Sequence, residues 1–200
     1  MHIATSIAGR EPLRSRLARF GLFSCALTVA LLPVACGGGG NDTASVATPT
    51  EPAALAGITA AHNQLRSSVG APPLVWSSAL AATAQAWADA GTDTQDPLGL
   101  LDHNPSRSSG YPYAVGENLA ASTGPLTGPA AVALWAAEAP SYDYASNTCA
   151  TAGGCSRYTQ VVWSTTREFG CGVSHRPSLA FAYTVVCNYG PAGNTGGRPY

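Results

Sequence analysis

The sequence predicts an α+β fold in which helices are layered around an antiparallel sheet. Apolar residues recur at helical spacing between residues 55 and 138, whereas β-branched and aromatic runs appear between residues 158 and 187. Long loops rich in Gly and Pro interrupt both regions. Because the helices come first and the strands later, we do not expect alternating βαβ units.

The first 35 residues are predicted to be a signal peptide. Four of the ten Arg residues lie within the first nineteen positions, and sixteen uncharged residues follow, from Phe20 to Ala35. This uncharged stretch is too short for a membrane-spanning helix, which needs about 20 apolar residues. An Arg-rich start before a short apolar stretch is typical of an exported protein.

Cys36 is the expected site of lipidation. It follows Val34 and Ala35 and precedes four Gly, and small residues before a Cys resemble a bacterial lipobox, in which the Cys is acylated and begins the mature chain. Pro33 departs from that pattern, in which Leu is usual. The alternative is ordinary cleavage and free secretion, although no Ala-x-Ala site precedes Cys36. Under either interpretation Cys25 is removed.

Residues 36–52 are predicted to be a flexible tether, and residues 53–200 a single folded domain. The tether contains mostly Gly, Asn, Asp, Ser, Thr and Pro, with few side chains that could pack. A lipid on Cys36 would make the membrane a partner and hold the domain some distance from it, in the periplasm or at the cell surface.

Three helices are predicted at the start of the domain. The first ends at Gly70, and one of its faces carries residues at spacings of three and four: Leu55, Ile58, His62, Leu65 and Val69. The second begins near Ser77 and ends at Gly91. The third begins at Pro129 and runs through Glu138. Residues 92–128 are rich in Gly, Pro, Ser, Asp and Asn, so we expect mainly loops there.

Three strands are predicted after Cys155. Their stretches are rich in β-branched and aromatic side chains: Tyr158–Trp163, Cys171–Val173 and Phe181–Cys187. Alternate side chains of a strand point to opposite faces. In the stretch Tyr158–Trp163, we therefore expect every second side chain to pack in the core and the others to line a cleft.

Four cysteines fall within the predicted domain, and an even number in an exported chain implies two disulfides with three possible pairings. Cys149 and Cys155 flank a short Gly-Gly turn, while Cys171 and Cys187 lie on strand-like stretches with room for a hairpin between them. The most natural pairing is Cys149–Cys155 and Cys171–Cys187. A zinc cluster is disfavoured because no CxxC pair occurs.

The composition excludes one class of function. From Cys36 onward the chain has ten carboxylates and six Arg, which gives a net charge of about −4. We therefore expect no nucleic-acid partner, because binding to a phosphate backbone depends on clustered Lys and Arg. The apolar residues include 36 Ala, so the core should be compact and should gain from each disulfide, worth about 2–4 kcal/mol.

Four motifs occur in an order that is similar to that of one protein family. They are His62–Arg66, Gly116–Leu119, Ser156–Trp163 and Val186–Asn194. Between about residues 54 and 196 the chain thus resembles the CAP family, or SCP domain, which includes cysteine-rich secretory proteins, venom allergens and plant pathogenesis-related proteins. The resemblance implies a three-layer α-β-α sandwich with a central antiparallel sheet, and it agrees with the two disulfides.

The resemblance also implies a site. Family members place two His and two Glu around a large open cleft, and by motif position these map to His103, Glu117, Glu138 and Arg157. The last of these positions is usually His. Two imidazoles can hold Zn²⁺ with carboxylates or water, whereas Arg has no lone pair to donate and stays protonated.

We therefore expect Arg157 to form charge-assisted hydrogen bonds with Glu117 or Glu138 and to supply the positive charge that a metal would bring. No cofactor is favoured, and zinc would have only His103, Glu117 and Glu138 as ligands. Glu138 lies at the C-terminus of the third predicted helix, where a carboxylate is disfavoured without a partner. His62 is expected to be a core histidine.

Two classes of function remain. The favoured one is a non-catalytic module that binds a small apolar ligand, lipid or sterol-like, in the cleft, or else a partner at the envelope or host surface. The alternative is a hydrolase that uses His103 as general base with Glu117 orienting it, although no Ser stands in a recognisable nucleophile motif. Metal-dependent chemistry in the cleft is a variant of that alternative.

Overall fold

The computed structural model describes residues 50–95, 99–151 and 154–200. The predicted signal peptide, the expected lipidation site Cys36 and nearly all of the predicted tether lie outside these residues. Within the described ranges, no helix is both long enough and apolar enough to cross a membrane.

Helices and strands are interspersed along the described chain, without a regular alternation of the two. The helices are α1 (Ile58–Ser68), α2 (Ser78–Ala90), α3 (Gly128–Ala136) and α4 (Ser156–Val161). The strands are β1 (Val75–Trp76), β2 (Gly116–Ser122), β3 (Tyr142–Asp143), β4 (Thr148–Cys149), β5 (Glu168–His175) and β6 (Tyr183–Gly190). Short 3-10 turns precede α1 at Ala53–Leu55 and follow α3 at Ala139–Ser141.

The main sheet has the strand order β1-β5-β6-β2. Its three long strands are antiparallel, as predicted, with Glu117 opposite Asn188 and Cys171 opposite Cys187. The short strand β1 pairs parallel with β5, so the sheet as a whole is mixed and the prediction was wrong at that edge. β2 forms the opposite edge, and β3 and β4 form a separate small ribbon.

Helices cover both faces of the sheet, which confirms the three-layer arrangement. On one face α2 lies so close to β5 that only glycine fits: a Cβ at Gly170 or Gly172 would fall 2.2 or 2.3 Å from backbone atoms of α2. The other face packs against α1, α3 and α4. Its buried core includes Ile58, Trp135, Val161, Phe169, Val185 and Tyr189.

The first two predicted helices are confirmed, and the third is shifted. Gly70 and Gly91 follow α1 and α2 in the left-handed conformation, with φ of 75° and 62°, which glycine adopts without a Cβ penalty. The third helix begins at Gly128 and ends at Ala136. Glu138 therefore lies just beyond the helix, where its side chain is free to turn towards another element.

The predicted loop between residues 92 and 128 is wrong for Gly116–Ser122, which form β2. This stretch has no β-branched residue, so its own strand propensity is low. It is a strand because all seven of its residues pair with β6. Long-range pairing, which local composition does not reveal, decides the structure here.

The predicted strand Tyr158–Trp163 is wrong as well, because α4 occupies most of it. The Glu138 carboxylate caps the start of α4: its Oε2 accepts hydrogen bonds from the backbone N–H groups of Arg157 and Tyr158, at 2.9 and 3.2 Å. The first N–H groups of a helix have no hydrogen-bond acceptor within the helix itself. A carboxylate at this end also suits the helix dipole, so a distant residue overrides the local β propensity.

Arg66 of α1 caps the other end of α4. Its guanidinium is buried and donates to the backbone carbonyls of Val161 and Trp163, at 2.8 and 2.9 Å, and also to those of Pro72 and Thr166. Burial lowers the pKa of Arg66 to about 10, which leaves the group charged at neutral pH. A buried cation is thus satisfied by carbonyl oxygens at a helix C-terminus, where positive charge is favourable.

Both predicted disulfides are present. Cys171–Cys187 joins β5 to β6 across the sheet, and Cys149–Cys155 ties β4 to the residue that precedes α4. The Cys149–Cys155 disulfide therefore restrains the chain near the start of α4, where Glu138 caps the helix.

His62 is a fully buried core histidine, as predicted. Its Nδ1 lies 2.8 Å from the carbonyl oxygen of Ile58, and its Nε2 lies 2.9 Å from the hydroxyl of Tyr189. Because a carbonyl can only accept, Nδ1 carries the proton and Nε2 accepts from the hydroxyl. Burial is the main cause that lowers the pKa of His62 to about 4, so the ring is neutral in the folded protein.

We predict that the free energy of unfolding decreases as the pH falls from 6.5 towards 4. In that window the unfolded chain protonates His62, with an ordinary pKa near 6.5, while the folded protein does not. The loss due to this group is about 3 kcal/mol and is complete near pH 4. Urea unfolding of wild type and His62→Gln at pH 7, 5.5 and 4 measures it. The variant should lose less stability over this range, and identical pH slopes would contradict the prediction.

Candidate functional site

Three residues of the predicted site, His103, Glu117 and Arg157, line two adjoining hollows beside β2, and the fourth, Glu138, contacts Arg157. The polar hollow, of about 370 Å³, is lined mainly by polar groups that include His103, Arg107, Glu117, Gln160 and Asn194. The apolar hollow, of about 250 Å³, is lined mainly by Ala120, Ala121, Leu134, Trp135 and Phe181. Leu100, Leu119 and Arg157 line both hollows. We call the two together the cleft.

Glu117 is fixed by β2 and by the loop that precedes it. Its side chain is buried, and its Oε1 accepts a hydrogen bond from the backbone N–H of Asn104 at 3.0 Å. The same oxygen lies 2.7 Å from Nδ1 of His103. Oε2 is buried with no hydrogen-bond partner in the described ranges. The carboxylate is therefore held in place through one oxygen.

His103 covers Glu117 from the solvent side, and 63% of its side chain is exposed. With a carboxylate as its partner, Nδ1 is the donor, and Nε2 is left as the acceptor of a neutral ring. Glu117 thus sets the orientation and the tautomer of the imidazole. This is the arrangement that a general base needs, and it equally suits a hydrogen bond to a ligand.

Arg157 pairs with Glu138 rather than with Glu117. Its Nη1 donates to Oε1 of Glu138 at 2.5 Å, while the other carboxylate oxygen caps α4. Half of the Arg157 side chain is exposed, against 14% for Glu138. Glu138 therefore has the partner that its place after a helix requires, and Glu117 is paired with His103 instead.

The arrangement does not fit a zinc ion of the kind that the family resemblance implies. Arg157 stands where an imidazole would be, and a guanidinium offers no lone pair. Nδ1 of His103 is committed to Glu117, and the two glutamates belong to separate pairs. Among the residues that the structure describes, no group of three His, Cys, Asp or Glu side chains is placed to hold a metal.

Sequence reasoning missed the residues that connect the cleft to the core. Asn118 donates through Nδ2 to the carbonyl of Arg157 at 3.0 Å and lies 3.4 Å from the hydroxyl of Tyr189. That hydroxyl is the partner of His62. Asn118 and Tyr189 both stand in motifs that the sequence shows, so the signal was present, but their contacts depend on the fold.

Gln160 anchors the C-terminal motif against the cleft. Its Oε1 accepts a hydrogen bond from the backbone N–H of Gly193 at 2.9 Å. Gln160 belongs to the stretch Tyr158–Trp163, of which one set of side chains was predicted to line a cleft, whereas the apolar hollow was not predicted. Phe181 lies in the loop between β5 and β6 and Leu134 lies on α3, so no sequence pattern places them together.

Comparison with known proteins agrees with these observations. The CAP profile, described as the cysteine-rich secretory protein family, matches residues 59–189. Pathogenesis-related leaf protein 6 of Solanum lycopersicum is 41% identical over 142 residues, which cover 70% of this chain and 80% of that protein. Pathogenesis-related protein 1 of Arabidopsis thaliana is 38% identical over 141 residues, with coverage of 70% and 78%.

A solved structure supports the same assignment. The structure of venom allergen-like protein 4 of Schistosoma mansoni superposes with a TM-score of 0.59 at 29% identity, and the match covers 74% of this chain and 94% of that one. The motifs, the layered fold and these matches lead to one conclusion. The chain belongs to the CAP family, the family of cysteine-rich secretory proteins.

Proposed function

We propose that this protein is a non-catalytic binding domain that takes up a small apolar ligand in the cleft beside β2. The apolar hollow carries this proposal. Leu134 and Phe181 remain 51% and 40% exposed at its wall, although both are large apolar side chains. Large apolar side chains that border a concave surface favour capture of an apolar ligand.

The pairing of the charged residues supports binding over catalysis. Glu138 is bound to Arg157 and to the backbone of α4, and Glu117 is bound to His103 and Asn104. Each of these two glutamates is therefore held by its own partners. The small size of the cleft also favours a small ligand over an envelope or host protein, because protein interfaces bury roughly 800 Å² on each partner.

We further propose that the protein is exported and held at the membrane by a lipid on Cys36. The two disulfides support export, because such bonds persist in oxidising compartments. The Arg-rich start and the lipobox-like sequence before Cys36 support the anchor. The mass of the mature N-terminus checks it, and a mass without acyl chains would leave free secretion as the route.

Hydrolysis is a second candidate function, favoured by the 2.7 Å contact between His103 and Glu117. In this case Nε2 of His103 would take a proton from a hydroxyl or a water. A screen of peptide and ester substrates with wild type and His103→Ala decides the question. Turnover that the substitution abolishes would establish a hydrolase and displace the non-catalytic proposal.

We predict that the small neutral probe octan-1-ol binds in the apolar hollow. Leu134→Gln and Phe181→Gln should each weaken binding about tenfold, because each removes a contact worth about 1.5 kcal/mol. Titration calorimetry measures the affinity.

The matched control for this titration is Val75→Gln. Val75 is 67% exposed on β1, at the opposite edge of the sheet, so its substitution should leave the affinity unchanged. Equal weakening by all three substitutions, or no binding to the wild type, would contradict the proposal.

A further inference from the structure

We infer that the ligand of the apolar hollow carries a carboxylate, and that Arg157 binds this group. The ligand class is a small monocarboxylate with an aromatic or medium-length alkyl group. This inference rests on the proposed function, because it assigns a polar end to the ligand of the same cleft.

Arg157 has donors to offer. A guanidinium carries five N–H donors in a fixed plane, and only Nη1 is engaged, by Glu138 at 2.5 Å. Nε and Nη2 donate to no other residue in the described ranges, and half of the side chain is exposed. The edge formed by these two nitrogens matches the two oxygens of a carboxylate.

Glu138 prepares this edge for binding. Its other oxygen is tied to the backbone of α4, so the carboxylate is fixed, and its hydrogen bond with Nη1 restrains the position of the guanidinium. An arginine that is already oriented loses little conformational freedom when it binds an anion. Glu138 therefore positions Arg157 and leaves its remaining donors for a second carboxylate.

The position of Arg157 joins an anion site to an apolar one. The residue lines both hollows, together with Leu100 and Leu119. A carboxylate on its guanidinium would place the attached carbon chain beside Trp135, Leu134 and Phe181 in the apolar hollow. If the ligand had no charged group, Nε and Nη2 of Arg157 would form hydrogen bonds only with water.

Arginines are concentrated in this cleft although the domain is acidic. The chain from Cys36 onward carries about −4, with six Arg against ten carboxylates. Two of these six, Arg107 and Arg157, line the polar hollow beside His103, and Glu117 is the acidic residue that accompanies them. Arg107 donates hydrogen bonds to the carbonyls of Val115 and Asn104, which are neutral groups and do not compensate its positive charge. With Glu138 counted as the partner of Arg157, the charges around the cleft balance. The free donors of Arg157, rather than a net positive charge, therefore favour an anion here.

The volume of the apolar hollow limits the size of the apolar group. At roughly 30 Å³ for each heavy atom, the volume of a water molecule in the liquid, a hollow of about 250 Å³ holds about eight heavy atoms. An eight-carbon chain or a phenyl group with a short linker fits this volume. A long lipid chain would extend out of it.

Titration calorimetry with three eight-carbon probes tests the inference on the purified mature protein. Octanoate, octan-1-ol and octylammonium share one chain and differ in the charge of the head group. We expect octanoate to bind at least tenfold more tightly than the alcohol, and octylammonium to bind most weakly. Hexanoate should bind about tenfold more weakly than octanoate, because two buried methylenes are lost.

The substitution Arg157→Met should abolish the preference for octanoate over octan-1-ol. An unchanged affinity for octan-1-ol would show that the apolar hollow of this variant is intact. Arg167→Met is the matched control: Arg167 is exposed and its carbonyl accepts from β1 at the opposite edge of the sheet. This control should keep the preference.

The outcomes separate the two proposals. Equal binding of octanoate and octan-1-ol to the wild type would overturn the carboxylate inference and leave the apolar function standing. No binding of any of the probes would overturn both. A peptide acid ending in Phe that binds more tightly than octanoate, while its amide does not, would replace the small molecule by a peptide C-terminus and so overturn the assigned class.

Discussion

One carboxylate, that of Glu138, determines how the cleft is built. One of its oxygens caps the backbone of α4 and the other holds the guanidinium of Arg157. Without the cap, a stretch rich in Tyr, Thr and Val would favour an extended chain over a helix. Because the cap and the ion pair share one side chain, the start of α4 and the direction of Arg157 are set together. The Cys149–Cys155 disulfide, which ends at the residue before α4, restrains the same place.

The same interaction decides what kind of site the cleft can be. The two glutamates of the site are bound separately, Glu138 to Arg157 and Glu117 to His103. A metal is not required to hold them. The cleft is left with a covered carboxylate, an exposed imidazole and a half-exposed guanidinium beside an apolar wall. Such a surface is better suited to holding a ligand with a polar and an apolar end than to activating a metal-bound water.

The sequence predicted the parts of the fold that depend on local pattern. The periodic spacing in α1 and α2 and their terminal glycines were sufficient for both helices. Strand composition favoured the disulfide between β5 and β6 among the three possible pairings. It did not predict β2 or α4, because pairing with β6 and caps from Glu138 and Arg66 decide those elements against local propensity. The paired residues of the site were found through motif position. The apolar hollow was not, because Leu134 and Phe181 meet only after α3 and the β5–β6 loop are packed.

Zinc titration of the purified protein, with wild type and Arg157→His compared by calorimetry, tests most directly whether Arg157 has taken the place of a metal. The account predicts no stoichiometric binding to the cleft of the wild type. It also predicts that the variant gains one site, because a second imidazole restores a nitrogen ligand beside His103. Tight binding of one zinc ion by the wild type that is lost in His103→Ala would contradict it.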